Sequence, residues 1–279
     1  MPAADVTSEA APPREWAHYT EPSKVEVDGL EVAYRRKGDG PPLVFLHGTR
    51  TTRMWLPVYE ELSADFDVIV PEHPGFGDTE MPGHLDGFDD LVLHYDAFLR
   101  ALEIESPHLV GHYLGGWIAA ELAVFYPQRF PSLVLLNPTG LRLPEEVAVN
   151  DVFRLGEAEL DTLLNGRADE FTEYFEQENE LEDVIHFYAE EITLARLTWN
   201  PRYDWRLDHR LARVAAKTTV IAAEEDRLVP VEMAARFAEL IPGATLVTAG
   251  GEPSRPSGHL VHVERPAAVA ELIREGVKR

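Results

Sequence analysis

The chain contains no cysteine. That excludes disulfide bridges and thiolate metal sites. Lysine is scarce, limited to Lys24, Lys37, Lys217 and Lys278, so arginine supplies nearly all the positive charge. Acidic residues outnumber basic ones by 49 to 25, which leaves a formal net charge of −24. Such a chain repels nucleic acid and anionic membrane, and neither is expected as a partner. No apolar run approaches the length of a membrane span. The start, Met1-Pro2-Ala3-Ala4-Asp5, lacks a basic stretch followed by an apolar core, so no secretion signal is read there and a cytoplasmic protein is expected. No H-E-x-x-H motif occurs and the histidines scatter, so neither a metal nor a cofactor is implied.

What is present is a chain of 279 residues with 45% hydrophobic content, enough for one large core. The first 21 residues are rich in Ala, Pro and Glu and read as a flexible tail. Two strands, Lys24 to Val27 and Glu31 to Arg36, are expected to meet at Asp28-Gly29. Short apolar strands follow at Leu43 to Leu46, Phe66 to Val70, Leu109-Val110, Leu133 to Leu136, Thr219 to Ala222 and Thr245 to Val247. Helical patterns separate them, at Trp55 to Leu62, Asp90 to Leu102, Leu114 to Phe125, Glu232 to Leu240 and Pro266 to Val277. Repeated strand-then-helix units with continuous apolar strands predict an α/β fold, a mostly parallel twisted sheet with helices on both faces.

Residues 141–209 differ in character: acidic, helical and without a clear strand. They predict a helical cap over the C-terminal edge of the sheet, where ligands bind in open α/β folds. Phe171, Tyr174 and Phe175, and again Ile185, Tyr188 and Ile192, repeat at helical spacing and read first as core packing. The acidic run Glu176 to Glu182 reads as a solvated helix face. Residues 22–140 and 210–279 then form the core domain.

The most informative stretch is His108-Leu109-Val110-Gly111-His112-Tyr113-Leu114-Gly115-Gly116-Trp117. It has the G-x-Nu-x-G spacing of a sharp strand-to-helix turn that exposes a nucleophile above a sheet. Three further signals stand in order around it: His47-Gly48 after a strand, Pro74-Gly75-Phe76-Gly77 after the next, and Glu225-Asp226-Arg227-Leu228-Val229-Pro230 followed by Gly258-His259. Together these resemble the capped α/β-hydrolase fold from about Val25 to Val277. The resemblance implies an acid station at Asp226, a histidine station at His259 and backbone oxyanion donors at Leu114 and Thr49. Asp226 could instead cap the segment starting at Pro230, with Glu224 and Glu225 as rival carboxylates. His262 is the rival imidazole, and His112 reads as a core histidine.

The departure from the family pattern is residue 113, where the family carries serine and this chain carries tyrosine, by nature or by design. The phenol places its oxygen several ångströms further out, behind a rigid ring, where an acyl carbon should lie. Four readings stay open. The chain is a cofactor-free acyl-transfer hydrolase (ester, lactone, amide or carbon–carbon bond) with its nucleophile replaced. It is a non-hydrolytic ligand-binding protein. It is a lyase, cyclase or cofactor-free oxygenase that uses Tyr113 as acid or base. Or the ring simply fills the pocket. The expected ligand is a small hydrophobic acyl-type compound, with Trp55, Tyr174, Tyr188 and Trp199 as pocket candidates and Tyr203 and Trp205 as further ones. Oligomeric state is not readable.

Overall fold

In the computed structural model, residues 18–175, 181–251 and 255–278 are described. The expected tail lies outside them up to residue 17, and the acidic run from Glu176 lies outside them up to residue 180. Residues 18–21 are not a tail. His18 stacks flat on Tyr174 at a centroid distance of 4.3 Å, Tyr19 bridges to Met54, and the Thr20 carbonyl accepts from Arg35 Nε. Ring area and satisfied backbone groups hold this stretch against the body.

Eight strands form one sheet: β1 (Ser23–Val27), β2 (Leu30–Lys37), β3 (Pro42–Leu46), β4 (Asp67–Pro71), β5 (His108–His112), β6 (Ser132–Leu136), β7 (Lys217–Ala223) and β8 (Thr245–Ala249). Their order is β1-β2-β4-β3-β5-β6-β7-β8. Only the β1–β2 and β2–β4 pairings are antiparallel. The β1–β2 hairpin turns on Asp28 (φ 50°) and Gly29 (φ 84°), the two left-handed residues that a tight twisted hairpin requires. Strands β3 to β7 are almost wholly buried, because parallel strands carry helices on both faces.

Five longer helices cover the sheet. They are α1 (Pro57–Ser63), α2 (Phe88–Ala101), α3 (Leu114–Phe125), α8 (Val231–Leu240) and α10 (Pro266–Lys278), the last preceded by the single turn α9 (Val261–Glu264). Helix α1 packs on α10, and α2 packs on α3. Helix α1 starts two residues later than the apolar pattern suggests, because Pro57 fits the first turn where its missing N–H costs nothing. Leu56, Tyr59 and Leu62 still form its buried face.

Between β6 and β7 the chain makes α4 (Glu159–Leu163), α5 (Thr172–Phe175), α6 (Leu181–Thr198) and α7 (Leu207–Arg210), with short 3₁₀ turns between. Tyr174 and Phe175 are buried as core residues. The second stripe is reversed: Ile185, Tyr188 and Ile192 are 57%, 56% and 67% exposed. Helix α6 buries Glu190, Thr193 and Leu194 instead. Among the described residues, no helix is long and apolar enough to cross a membrane.

Candidate active site

The parallel strands deliver several chemically useful residues to one edge of the sheet. The turn after β5 is the sharpest. Strand β5 ends at His112 and α3 begins at Leu114, leaving Tyr113 alone at the corner. Its backbone sits at φ 52°, ψ −110°, a region that a bulky residue rarely occupies. Holding it there costs about 1–3 kcal/mol, supplied by the surrounding packing. The corner is pinned by Tyr113 N–H donating to the Leu136 carbonyl (3.1 Å) and by Trp117 N–H donating to the Tyr113 carbonyl (3.2 Å). Glycine is required on either side. A Cβ on Gly111 would stand 2.3 Å from the Gly115 carbonyl oxygen, and one on Gly115 would stand 2.1 Å from the Leu46 oxygen.

Asp226 lies in the loop after β7, and His259 lies in the loop that follows β8. His259 Nδ1 meets Asp226 Oδ2 at 2.7 Å, with both side chains almost fully buried. The other Asp226 oxygen accepts from the backbone N–H groups of Leu228 and Val229, each at 2.8 Å. The carboxylate thus does both jobs considered from the sequence, closing a local turn and orienting an imidazole. Glu224 turns away, its carboxylate accepting from Gly251 N–H at 3.0 Å.

His259 Nε2 is sealed from solvent and meets no hydrogen-bond partner among the described residues. Where a serine hydroxyl would stand, the Tyr113 ring presents itself edge to face, with centroids 4.8 Å apart and planes at 86°. The Tyr113 hydroxyl does not bond to that nitrogen, and the residue lines the cavity described below. Burial pushes the phenol above its ordinary value near 10; the Glu159 and Asp226 carboxylates add to this, and Arg202 opposes it. A phenol held protonated is a poor nucleophile.

His112 and His262 pack at a tilt beside His259. The His112 ring lies 4.8 Å from that of His259 and 4.3 Å from that of His262. His112 Nε2 and Asn137 Nδ2 both approach the His259 carbonyl, at 3.1 and 3.0 Å, and so fix the backbone that carries the imidazole. Burial holds His262 neutral, lowering it to about 3, and both of its ring nitrogens lack partners. His262 therefore packs in the core, while His259 faces the carboxylate.

The backbone N–H groups of Leu114 and Thr49 meet no backbone acceptor among the described residues. Thr49 follows His47-Gly48, and this loop is braced from below by His73, whose Nε2 approaches the His47 carbonyl at 2.8 Å. Gly48 is pressed against His112, where a Cβ would stand 2.6 Å from Nδ1.

Above Tyr113 opens a cavity of about 400 Å³. Tyr113, Leu114, Trp117, Leu141, Leu143, Val152, Phe153, Leu194, Val229 and Met233 give it apolar walls, and Thr139, Arg142, Glu145, Asn150, Asp151, Thr198, Arg202 and Tyr203 give it a polar and charged side. The four aromatic pocket candidates do not line it. Trp55 donates to Glu60 at 2.9 Å, Tyr174 packs on His18, and Tyr188 and Trp199 are mostly exposed. Trp205 is 64% exposed, and of the aromatic candidates only Tyr203 reaches the cavity. Trp117, missed from the sequence, stands four residues past Tyr113, one helical turn along the same face. Val152 and Phe153 are an apolar pair in an otherwise acidic stretch, and that contrast is their only sequence signal.

Comparison with known proteins agrees with this architecture. The chain is 29% identical over 259 residues to 2-hydroxymuconate semialdehyde hydrolase of Pseudomonas sp. (strain CF600), covering 88% of this chain and 89% of that one. It is 25% identical over 266 residues to 2-hydroxy-6-oxo-2,4-heptadienoate hydrolase of Pseudomonas putida, covering 88% and 92%. The fold is similar to that of a meta-cleavage product hydrolase from Pseudomonas fluorescens, with a TM-score of 0.73 at 24% identity, covering 92% and 98%. The model of the alpha/beta hydrolase family matches residues 43–272, and the chain belongs to that family.

Proposed function

We propose that this protein descends from cofactor-free acyl-transfer hydrolases acting on a small hydrophobic carbonyl compound, and that Tyr113 closes the acyl-enzyme route. The reaction class of the lineage is hydrolysis of an ester, lactone, amide or carbon–carbon bond. The observation that carries this reading is the relation at the corner. His259 is oriented by Asp226, its Nε2 is left without a partner, and the Tyr113 ring stands where a short hydroxyl would bridge imidazole and substrate.

With serine at 113, each part has a role. The imidazole would take the hydroxyl proton, and Asp226 would steady the resulting imidazolium. The Leu114 and Thr49 N–H groups would receive the oxyanion, where each fixed donor contributes roughly 2.7–4 kcal/mol. The cavity above, apolar on one side and polar on the other, would hold the body of the substrate. The relatives' names, hydrolases of a semialdehyde and of an oxo-dienoate, support a small carbonyl compound. A net charge of −24 supports a small molecule over nucleic acid or anionic membrane as partner.

The test is turnover of p-nitrophenyl acetate and butyrate by the protein and by its Tyr113→Ser variant. The variant should gain at least about 100-fold over the parent, since a triad acts as a unit. A correctly folded Tyr113→Ser variant with no gain overturns the reading. A second reading rests on the protonated Tyr113 phenol lining the cavity. In it the protonated phenol donates a hydrogen bond to a ligand, and Tyr113→Phe rather than Tyr113→Ser is the diagnostic exchange.

A further inference from the structure

Arg50 immediately follows Thr49, one of the two proposed oxyanion donors. Its backbone is in the left-handed region, at φ 68°, which a non-glycine residue adopts only when held there. The side chain shows what holds it. Arg50 Nη2 and Nε both donate to Glu159 Oε2 of α4, at 2.5 and 3.2 Å. The guanidinium carbon lies 3.7 Å from the centroid of the Phe187 ring on α6. The Arg50 and Glu159 side chains are only 10% and 7% exposed, so the pair is weakly screened. One core-loop arginine thus grips two separate helices of the cap.

The space beside this contact is nearly closed. A pocket of about 10 Å³ remains between Thr49, Arg50, Glu159, Phe187 and Glu190. Val152, Phe153 and Leu194 line both this pocket and the large cavity above Tyr113. A shift of α4 or α6 would therefore pull on Arg50 and, through one peptide unit, on the Thr49 N–H.

We infer that Arg50 is a positioning residue that couples the cap to the oxyanion loop, so that the grip of Glu159 and Phe187 on the guanidinium helps to set the Thr49 donor. Arginine suits this task because its planar fork and weak hydration allow an ion pair and a ring contact at once.

The experiment is hydrogen–deuterium exchange on the intact protein, read in peptides covering residues 47–53 and 184–195. Glu159→Gln is made on the cap and Arg50→Ala and Arg50→Lys on the core. Glu159→Gln should speed exchange in the core peptide 47–53 by about tenfold although the change lies in the cap. Arg50→Ala should speed both peptides, and Arg50→Lys should recover part of the protection, because it keeps a charge for Glu159. The double variant should add little to Arg50→Ala. Unchanged exchange of residues 47–53 in Glu159→Gln overturns the inference, as does a uniform rise across the whole chain. If Arg50→Ala does not fold, Glu159→Gln and Arg50→Lys still decide. These readouts stand whether or not the proposed function does. The link to chemistry rests on that function: in the Tyr113→Ser protein, Arg50→Ala should lower kcat about tenfold with KM within about twofold. A rise in KM alone would overturn that link.

Discussion

Tyr113 and His259 meet edge to face with their ring centroids 4.8 Å apart, yet no hydrogen bond joins the hydroxyl to the imidazole. The contact is one of shape, ring edge against ring face, and His259 Nε2 is left without a partner among the described residues. Removing the hydroxyl should therefore change little inside the protein. Tyr113→Phe is expected to alter stability by less than about 0.5 kcal/mol in chemical denaturation. Difference absorbance between the two proteins should show no phenolate at 113 until well above pH 10, because burial raises this group. As the folded value is raised, the unfolded chain ionises first, and stability from this group is lost as pH climbs past 10. A phenolate signal appearing near neutral pH would point instead to a base acting on Tyr113.

Asp226 gives one oxygen to the imidazole and the other to two backbone N–H groups. Its two roles should separate by substitution. Asp226→Asn keeps an oxygen for the turn and should lose less than about 1 kcal/mol, whereas Asp226→Ala strands both N–H groups and should cost about 1–3 kcal/mol more. Thermal unfolding of the two variants checks this. Equal melting temperatures would mean that the turn does not need the carboxylate.

Glu121 on α3 is fully buried, and burial pushes its carboxyl up to about 7. Arg210 of α7 comes only to 3.6 Å, while Asp204 and Asp89 add repulsion. The sign follows directly. The folded value lies above the unfolded value near 4.5, so the contribution is full below pH 4.5 and is lost as pH rises through about 7. Glu121→Gln should remove that loss and raise stability at pH 8 by about 1–3 kcal/mol. Melting curves of the two proteins at pH 5 and pH 8 should converge at the lower value and part at the higher.

The core of the fold is legible because its signals are local. Continuous apolar runs mark β3 to β7, and two crowded glycines mark the corner at Tyr113. Asp226 sits just past β7 and His259 follows Gly258 shortly before the last helix, and such positions are visible in one dimension. The cavity is less so. Its walls come from α3, from residues 139–153, from α6, from Arg202 and Tyr203, from the loop at Leu228 and from α8, segments that meet only in three dimensions. Periodicity on α6 even points the wrong way: Ile185, Tyr188 and Ile192 form a good apolar stripe, but the helix is rotated so that Glu190 and Leu194 face inward. A buried glutamate has no periodic signature, and the apolar stripe outweighs it in any sequence window. Residues 18–21 mislead in the same manner, since their order comes from Tyr174 and Met54, distant in the chain.

The donors proposed at Leu114 and Thr49 are main-chain amides, and a main-chain amide has no codon of its own. Exchange of the side chain at 113 leaves both amides in the backbone. Tyrosine and serine codons differ by a single base. Under the proposed function, the parts that would receive negative charge stay in place, and the step back to serine is the shortest that heredity allows.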